Sequence, residues 1–512
     1  LVHLLDIALS PGDETPLYRQ IAEQIIAGIR RGALAPGLRL PPTRRLADTL
    51  ATNRNTVVRA FEELTAGGWV TSVVGRGTFV SDAPTVAPLV DGLAADAPRA
   101  ELPWAMLLSR AAESEPLARL ERLSRSPAHG DVVNLTRMQP SPDLLPHVEL
   151  KRCLDHVFRT YGADALGYGP RQGLPRLRAL IAEDLERNGV PADPDDILVT
   201  TGSQQGIDLI ARALVNPGDT FLTEARTYSG ALNVLAASGA RVVGVPGDDD
   251  GPDLAALDSL DRPRAKGFYA MPNSRNPTGT TMTLARREGL VAWSQRNGVP
   301  LVEDDYGADL ALDDAPPPTA LRALDKNVFH VGTFSKKLIP ALRVGFVVCP
   351  SALTTTLVSL KHAMDLGTSA LLQLALAEFL ERGYLRGHLR STLPVYRARR
   401  DALEAALRRW LPAGFRWRQP TRGMVLWLPL PGGLDPEEVF EEAKREGVLV
   451  SPSTLYSTSA PAQAGIRLVY CAEPPERLEE GARRLGRALE QVMRRRRAAA
   501  DADESPMTVD LV

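Results

Sequence analysis

The 512-residue chain is poor in several things that would decide its class at once. It has three cysteines, Cys153, Cys349 and Cys471, far apart and without the paired spacing of a thiolate metal site, which argues against a disulfide framework. No apolar run approaches the roughly 18 residues of a spanning helix. The opening Leu1-Val-His-Leu-Leu-Asp6 lacks the basic flank and cleavage pattern of a secretion signal, so a cytoplasmic protein with no membrane partner is expected. Net charge is nearly absent at −2, which excludes binding of a polyanion through the overall field but not through a local module. Lysine is scarce, at seven positions among 60 Lys and Arg residues, so any lysine in a glycine- and serine-rich setting stands out. What is present is ordinary for a folded protein: 44% hydrophobic and 24% charged residues, enough for a sizeable core and for more than one domain.

Charge is unevenly distributed. Residues 15–80 hold nine arginines and no lysine against Glu23, Asp48, Glu62 and Glu63. Within them Leu17, Ile21, Ile25 and Ile29 recur every four residues and make one helix face, stopped by Gly32. Thr43 is placed to cap a second helix through Leu50, and a third runs from about Arg54 to Ala66 after the short turn Ala51-Thr-Asn53. Two short helices joined by a tight turn form a helix-turn-helix, with Arg54, Asn55 and Thr56 where a recognition helix meets bases and phosphates. Trp69 to Val74, Gly75-Arg76-Gly77 and Thr78 to Val80 read as a hairpin with an arginine at its tip, a wing. A solvated arginine face on a small accessory domain is the alternative reading.

This stretch resembles the winged helix-turn-helix of GntR-type regulators through Pro16-Leu-Tyr-Arg-Gln-Ile21, Gly37-Leu-Arg-Leu-Pro41, Arg54-Asn-Thr-Val-Val-Arg-Ala60 and Gly75-Arg-Gly-Thr-Phe-Val80. The resemblance implies double-stranded DNA as partner and Arg44, Arg54, Thr56 and Arg76 as contacts. Pro42-Thr43 replaces a serine pair usual in that family, and Asn53 replaces a serine.

From residue 83 to 130 the chain is rich in Ala and Pro and reads as a linker with a short helix around Trp104 to Leu108. Beyond it, strand-like runs such as Ile197-Leu-Val-Thr200 and Val299-Pro-Leu-Val-Glu303 alternate with helical stretches such as Leu174 to Asn188 and Leu284 to Asn297, the pattern of a mainly parallel sheet covered by helices. The expected layout is α/β: a winged helix over 1–82, the linker, a large domain over 131–493, and a disordered tail over 494–512.

The large domain carries a lysine in the expected setting, Gly332-Thr-Phe-Ser-Lys-Lys-Leu-Ile-Pro-Ala-Leu-Arg343. A carbonyl cofactor needs an amine, and a cofactor phosphate needs hydroxyls and a bidentate cation; Lys336, Thr333, Ser335 and Arg343 supply them. Thr200-Thr-Gly-Ser-Gln204 follows a strand and opens a helix, so the amides of Ser203 and Gln204 can face an anion. Asn273-Ser-Arg-Asn276-Pro-Thr-Gly279 is a turn by composition, and Glu303-Asp304-Asp305-Tyr306 ends an apolar strand at the edge where α/β sheets bind ligands. Each segment alone also fits a plain turn, cap or surface loop.

In this order the segments resemble fold-type I pyridoxal-phosphate aminotransferases over residues 130–490. By that resemblance Lys336 would hold the internal aldimine of pyridoxal 5′-phosphate, and Asp304 would pair with the pyridinium nitrogen. Asn276 and Tyr306 would hydrogen-bond the ring hydroxyl's oxygen, and Tyr228 would stack on the ring, although Arg226 replaces a proline usual beside it. Tyr168 would reach the cofactor phosphate of a neighbouring subunit, and Arg467 would clamp an α-carboxylate. A GntR-like winged helix joined to such a domain resembles the MocR-type regulators, which implies a homodimeric, DNA-binding sensor of a small amino compound acting through aldimine exchange. A working aminotransferase with a DNA-binding-like appendage is the rival reading, kept open because Thr421-Arg-Gly-Met-Val-Leu-Trp427 resembles catalytic members equally. A sensor of pyridoxal phosphate itself is a third.

Overall fold

The computed structural model describes residues 7–10, 12, 15–73, 77–81, 107–109, 111–112, 121, 130–260, 265–313, 317–458 and 464–503. Arg76 at the expected wing tip, nearly all of the 83–130 linker and residues 504–512 lie outside the described residues. The chain divides into two compact units, Leu1–Ser109 and Arg110–Val512.

In the first unit the four-residue spacing becomes α1 (Leu17–Arg30), followed by α2 (Thr43–Thr49), α3 (Arg54–Ala66) and an antiparallel ribbon of β1 (Val70–Val73) and β2 (Gly77–Val80). Ile21, Ile25, Leu46, Val57, Leu64, Val70 and Val80 form its core. Thr43 is the first residue of α2, not its cap: Pro42 precedes it with fixed φ, and no side chain caps that end. Asn53 does the capping work of the serine it replaces, its Oδ1 accepting from the Asn55 amide at 2.9 Å and starting α3 at Arg54.

The second unit is built on a seven-stranded sheet. Its strands are β4 (Ile197–Thr200), β5 (Thr220–Glu224), β6 (Arg241–Val245), β9 (Phe268–Ala270), β10 (Leu301–Asp305), β11 (Phe329–Thr333) and β12 (Gly345–Val348), in the order β4-β12-β11-β10-β9-β5-β6. Two short strands, β7 (Gly247–Asp248) and β8 (Gly251–Pro252), form a separate ribbon. Before the sheet in sequence stands β3 (Val133–Asn134), and after it come β13 (Val425–Pro429), β14 (Val448–Leu449), β15 (Ser451–Pro452) and β16 (Gly465–Val469). The sheet is parallel except for β12, which runs against both neighbours. That exception matters. Gly345 at the start of β12 pairs with Thr333 at the end of β11 and with Thr200 at the end of β4. The loop before β12 therefore emerges at the carboxyl edge of the parallel strands, and so do the loops after β4, β5, β9, β10 and β11.

Apolar layers cover both faces, one around Ile181, Phe334, Phe346 and Phe379 and another around Ile210, Phe221, Tyr269 and Leu357. A smaller sheet, β13-β16-β15, packs with long helices around Leu403, Leu426, Ile466, Leu485 and Val492. Beside it β3 pairs in parallel with β14. The last helix runs Pro475–Asp503, so Arg494 to Arg497 continue it where the sequence suggests a frayed, disordered tail. The reason is tertiary: Arg495 pairs with Glu442 at 2.8 Å and Arg496 reaches Glu438 and the carbonyls of Gly432 and Gly433.

Candidate functional site

A cavity of about 560 Å³ opens at the carboxyl edge of the large sheet. It is lined by Ser203, Gln204, Tyr228, Asn276, Asp304, Tyr306, Thr333, Ser335, Lys336, Arg343 and Arg467, eleven residues singled out in the sequence and drawn from strand ends over 260 residues apart. Tyr168 is not among them: it is 91% exposed on the surface of this chain.

One end of the cavity is made for an anion. The helix α4 (Ser203–Leu214) begins there at Gly202, whose φ of +85° turns the chain from β4 into the helix. The positive end of α4 and its free amides face the same space as Arg343 and the hydroxyls of Thr333 and Ser335. Arg343 Nη1 lies 3.4 Å from Ser335 Oγ. A Cβ built on Gly202 would fall 2.5 Å from Arg343 Nη2, so only glycine permits this approach. Arg343 itself is held at φ +50°, a conformation unfavourable to a non-glycine residue and concentrated at functional sites.

Two adjacent lysines follow β11, and the structure separates them. Lys337 is buried with Asp309 at 2.5 Å and Asp184 at 3.4 Å. Burial alone would lower its pKa, but the two carboxylates outweigh it and raise it, so this amine stays charged and anchored. Lys336 instead lines the cavity, its Nζ donating to the Met138 carbonyl at 2.6 Å. Its pKa is lowered, chiefly by burial and further by Arg467 and Arg343. A lowered amine pKa increases the neutral, nucleophilic fraction.

Asp304 is the penultimate residue of β10 and lines the cavity. Tyr269 on neighbouring β9 donates its hydroxyl to Asp304 Oδ2 at 2.6 Å. Burial pushes the carboxyl up to about 6, with the Tyr269 hydrogen bond pulling the other way. Tyr269 was not singled out in the sequence. The available signal was a tyrosine inside an apolar strand, whose hydroxyl must find a partner once buried. Tyr228 lines the same cavity, its own pKa raised to about 12, first by burial and further by the Asp304 carboxylate.

Arg467 lies on β16 and is 8% exposed. Its Nη1 donates to Asn276 Oδ1 at 3.1 Å, and its Nη2 donates to the Thr136 carbonyl at 3.0 Å and to Ser451 Oγ at 3.3 Å. Its guanidinium stacks on Tyr456 at 5.0 Å. Among the described residues the buried Nε has no hydrogen-bond partner. Asn276 is thus engaged by Arg467, and the Tyr306 hydroxyl donates to the Ser274 carbonyl at 2.6 Å, so both polar groups expected beside a ring oxygen have protein partners as well. Asn134, Thr136, Met138, Ser451 and Tyr456 are among the other lining residues and carried no motif legible in the sequence.

In the small unit Arg54 and Asn55 are exposed at the amino end of α3, Thr56 is half-buried there, and Arg44 is exposed on α2. Arg59 stacks on Tyr18 at 4.2 Å and Arg30 on Trp69 at 4.9 Å, so these two arginines are held against the fold.

Comparison with known proteins agrees with this division. Residues 131–485 match the family "Aminotransferase class I and II", and residues 17–80 match "Bacterial regulatory proteins, gntR family". The chain is 32% identical to the probable rhizopine catabolism regulatory protein MocR of Rhizobium meliloti, over 93% of this chain and 94% of that one. It is 31% identical to the uncharacterized HTH-type transcriptional regulator YisV of Bacillus subtilis, over 91% and 95%. The crystal structure of LysN, an α-aminoadipate aminotransferase from Thermus thermophilus complexed with N-(5′-phosphopyridoxyl)-L-leucine, superimposes with a TM-score of 0.69 at 33% identity, covering 77% of this chain and all of that one.

The Asp304 carboxyl, raised from its ordinary 3.8 to about 6 on folding, makes a stability cost that is complete above pH 6 and gone below about pH 4. In protein prepared without cofactor, Asp304→Asn should therefore stabilise the large unit at pH 8 by roughly 2–3 kcal/mol and leave it unchanged at pH 4. Thermal melts of both proteins at the two pH values check this, and an equal effect at both would contradict it.

Proposed function

Since the chain belongs to the MocR family of transcription regulators, a gntR-type DNA-binding domain joined to an aminotransferase class I and II domain, we propose that it binds pyridoxal 5′-phosphate on Lys336 and uses it to sense a small amino compound. The observation that carries the proposal is the convergence of an available amine, an anion cradle and a buried carboxylate in one cavity.

The lining fits the cofactor. The amides of Ser203 and Gln204, the hydroxyls of Thr333 and Ser335 and the Arg343 guanidinium would hold the phosphate; Gly202, whose Cβ would collide with Arg343, keeps that cradle open. Asp304 would pair with the ring nitrogen through the oxygen that Tyr269 leaves free, Tyr228 would stack on the ring, and Asn276 and Tyr306 would border its oxygen. When bound, the cofactor supplies a carbonyl with which amines condense and a ring that draws electrons. Lys336 would take up and release the attachment as an amino compound exchanges with it, and Arg467 would hold that compound's carboxylate. In the proposed homodimer the exposed Tyr168 would serve the phosphate of the neighbouring subunit.

The winged helix gives the readout. Arg44, Arg54, Thr56 and Arg76 would contact duplex DNA in a cytoplasmic setting. Turnover as an aminotransferase is the second reading, favoured by the lowered pKa of Lys336, which suits a general base as well as an attachment point.

Borohydride reduction of the purified protein, followed by peptide mapping, should place the cofactor on Lys336, and Lys336→Ala should abolish the adduct; an adduct on Lys337 would contradict the assignment. Arg54→Ala should weaken operator binding by about 1–3 kcal/mol and relax preference at one base position, the cost of a lost bidentate base contact. Titrations on matched and mismatched duplexes measure both.

A further inference from the structure

The cavity contains more than the cofactor would use. Lys336, Arg343 and Asp304 are committed in the reading above, on which this inference rests. Among the described lining residues, Arg467 is then the one charged group left. Its guanidinium is fixed on one side by Asn276, Thr136 and Ser451 and on its face by Tyr456, while Nε is buried and has no partner among the described residues. These bonds take both N–H groups of Nη2 and one of Nη1, and the remaining Nη1 N–H faces only the Met138 sulfur at 3.9 Å, so a carboxylate would bind there by displacing that weak contact.

The space beside Arg467 is walled differently. Met138 stands between the two ends a bound amino acid must reach: its carbonyl accepts from Lys336 Nζ at 2.6 Å, and its sulfur is 3.9 Å from Arg467 Nη1 and 3.8 Å from Asn276 Nδ2. Leu449 and Val450 precede Ser451, the hydroxyl that touches Arg467, and Leu455 precedes Tyr456, whose ring covers it; all line the cavity. A second carboxylate or a second ammonium on the ligand would be stripped of water here and meet no described counter-charge. An aliphatic or aromatic side chain would exchange water for methyl groups, a thioether and a ring.

We propose that the cavity selects amino acids with a single carboxylate and an uncharged, apolar side chain, and that Met138 is the wall that reads the side chain. An amine lacking the carboxylate forfeits Arg467; glutamate and lysine each bring one charge too many.

The test is a titration of the full-length, cofactor-loaded protein, followed by cofactor absorbance, with leucine, phenylalanine, glutamate, lysine and 3-methylbutylamine. Leucine or phenylalanine should bind at least about tenfold more tightly than the other three, the discrimination expected from a shaped apolar pocket. Met138→Ala should shrink the leucine-to-glutamate ratio severalfold, and the volume-conserving Met138→Leu should restore it. Tighter binding of glutamate or lysine would overturn the selectivity, and a ratio unchanged in Met138→Ala would overturn the role of Met138. A loaded protein whose spectrum no amino compound alters would overturn the sensing reading itself, and this inference with it.

Discussion

Lys337 and its two carboxylates, Asp309 and Asp184, are the contact on which the site depends. They pin the segment after β11 from beneath, in a buried position where neither charge can be removed without leaving the other exposed to a low-dielectric interior. With Lys337 committed on that side, the residue before it lines the cavity, and Lys336 Nζ donates there to the Met138 carbonyl. Two lysines adjacent in sequence acquire opposite environments: one raised in pKa by two carboxylates, one lowered chiefly by burial. The same loop carries Ser335, and the antiparallel run of β12 returns Arg343 to the same edge. The amine, Ser335 and Arg343 are thus fixed by one loop and one strand reversal, and the amino end of α4 completes that end of the cavity.

Much of this was legible in the sequence, for identifiable reasons. The winged helix follows from local signals: a four-residue apolar spacing, Asn53 before Arg54, and a glycine pair after Ala66. The cavity residues Ser203 and Ser335 sit just beyond strand ends and Asp304 within the last two residues of one, where α/β sheets gather function, so reading the strands located the site. What stayed hidden depends on packing between distant segments. Tyr269 matters only because β9 lies beside β10; Met138 and Thr136 matter only because β3 lies beside β14 and brings its continuation under Arg467. Neither neighbour relation has a spacing signature. The arginine run at 494–497 reads as a frayed end by composition, yet Glu438 and Glu442 from another helix extend the order through it. Arg467 was visible only through resemblance, since one arginine in a strand says nothing by itself.

The segment from residue 130 onward has a particular place in the proposed sensing. Thr136 and Met138 touch Arg467 and Lys336, the two residues an amino compound would engage, so in the proposed sensing occupancy of the cavity would change contacts made by the first part of the large unit after residue 130. A ligand shifts an equilibrium only by its differential affinity for the two states, and these contacts are where such a difference can arise. Family membership establishes the regulator; the retained lysine, carboxylate and cradle explain how a catalytic scaffold could serve one.

The most direct measurement is the affinity of the full-length, cofactor-loaded protein for its operator, selected from random duplexes, with and without a saturating amino compound whose binding is verified by absorbance. Linkage requires that the ligand change operator affinity by the same factor by which the operator changes ligand affinity. The account predicts a clear change in both, equal in size, and its loss in Arg467→Ala. An operator affinity that stays the same while the cavity is demonstrably occupied, accompanied by rapid release of a keto acid, would contradict it.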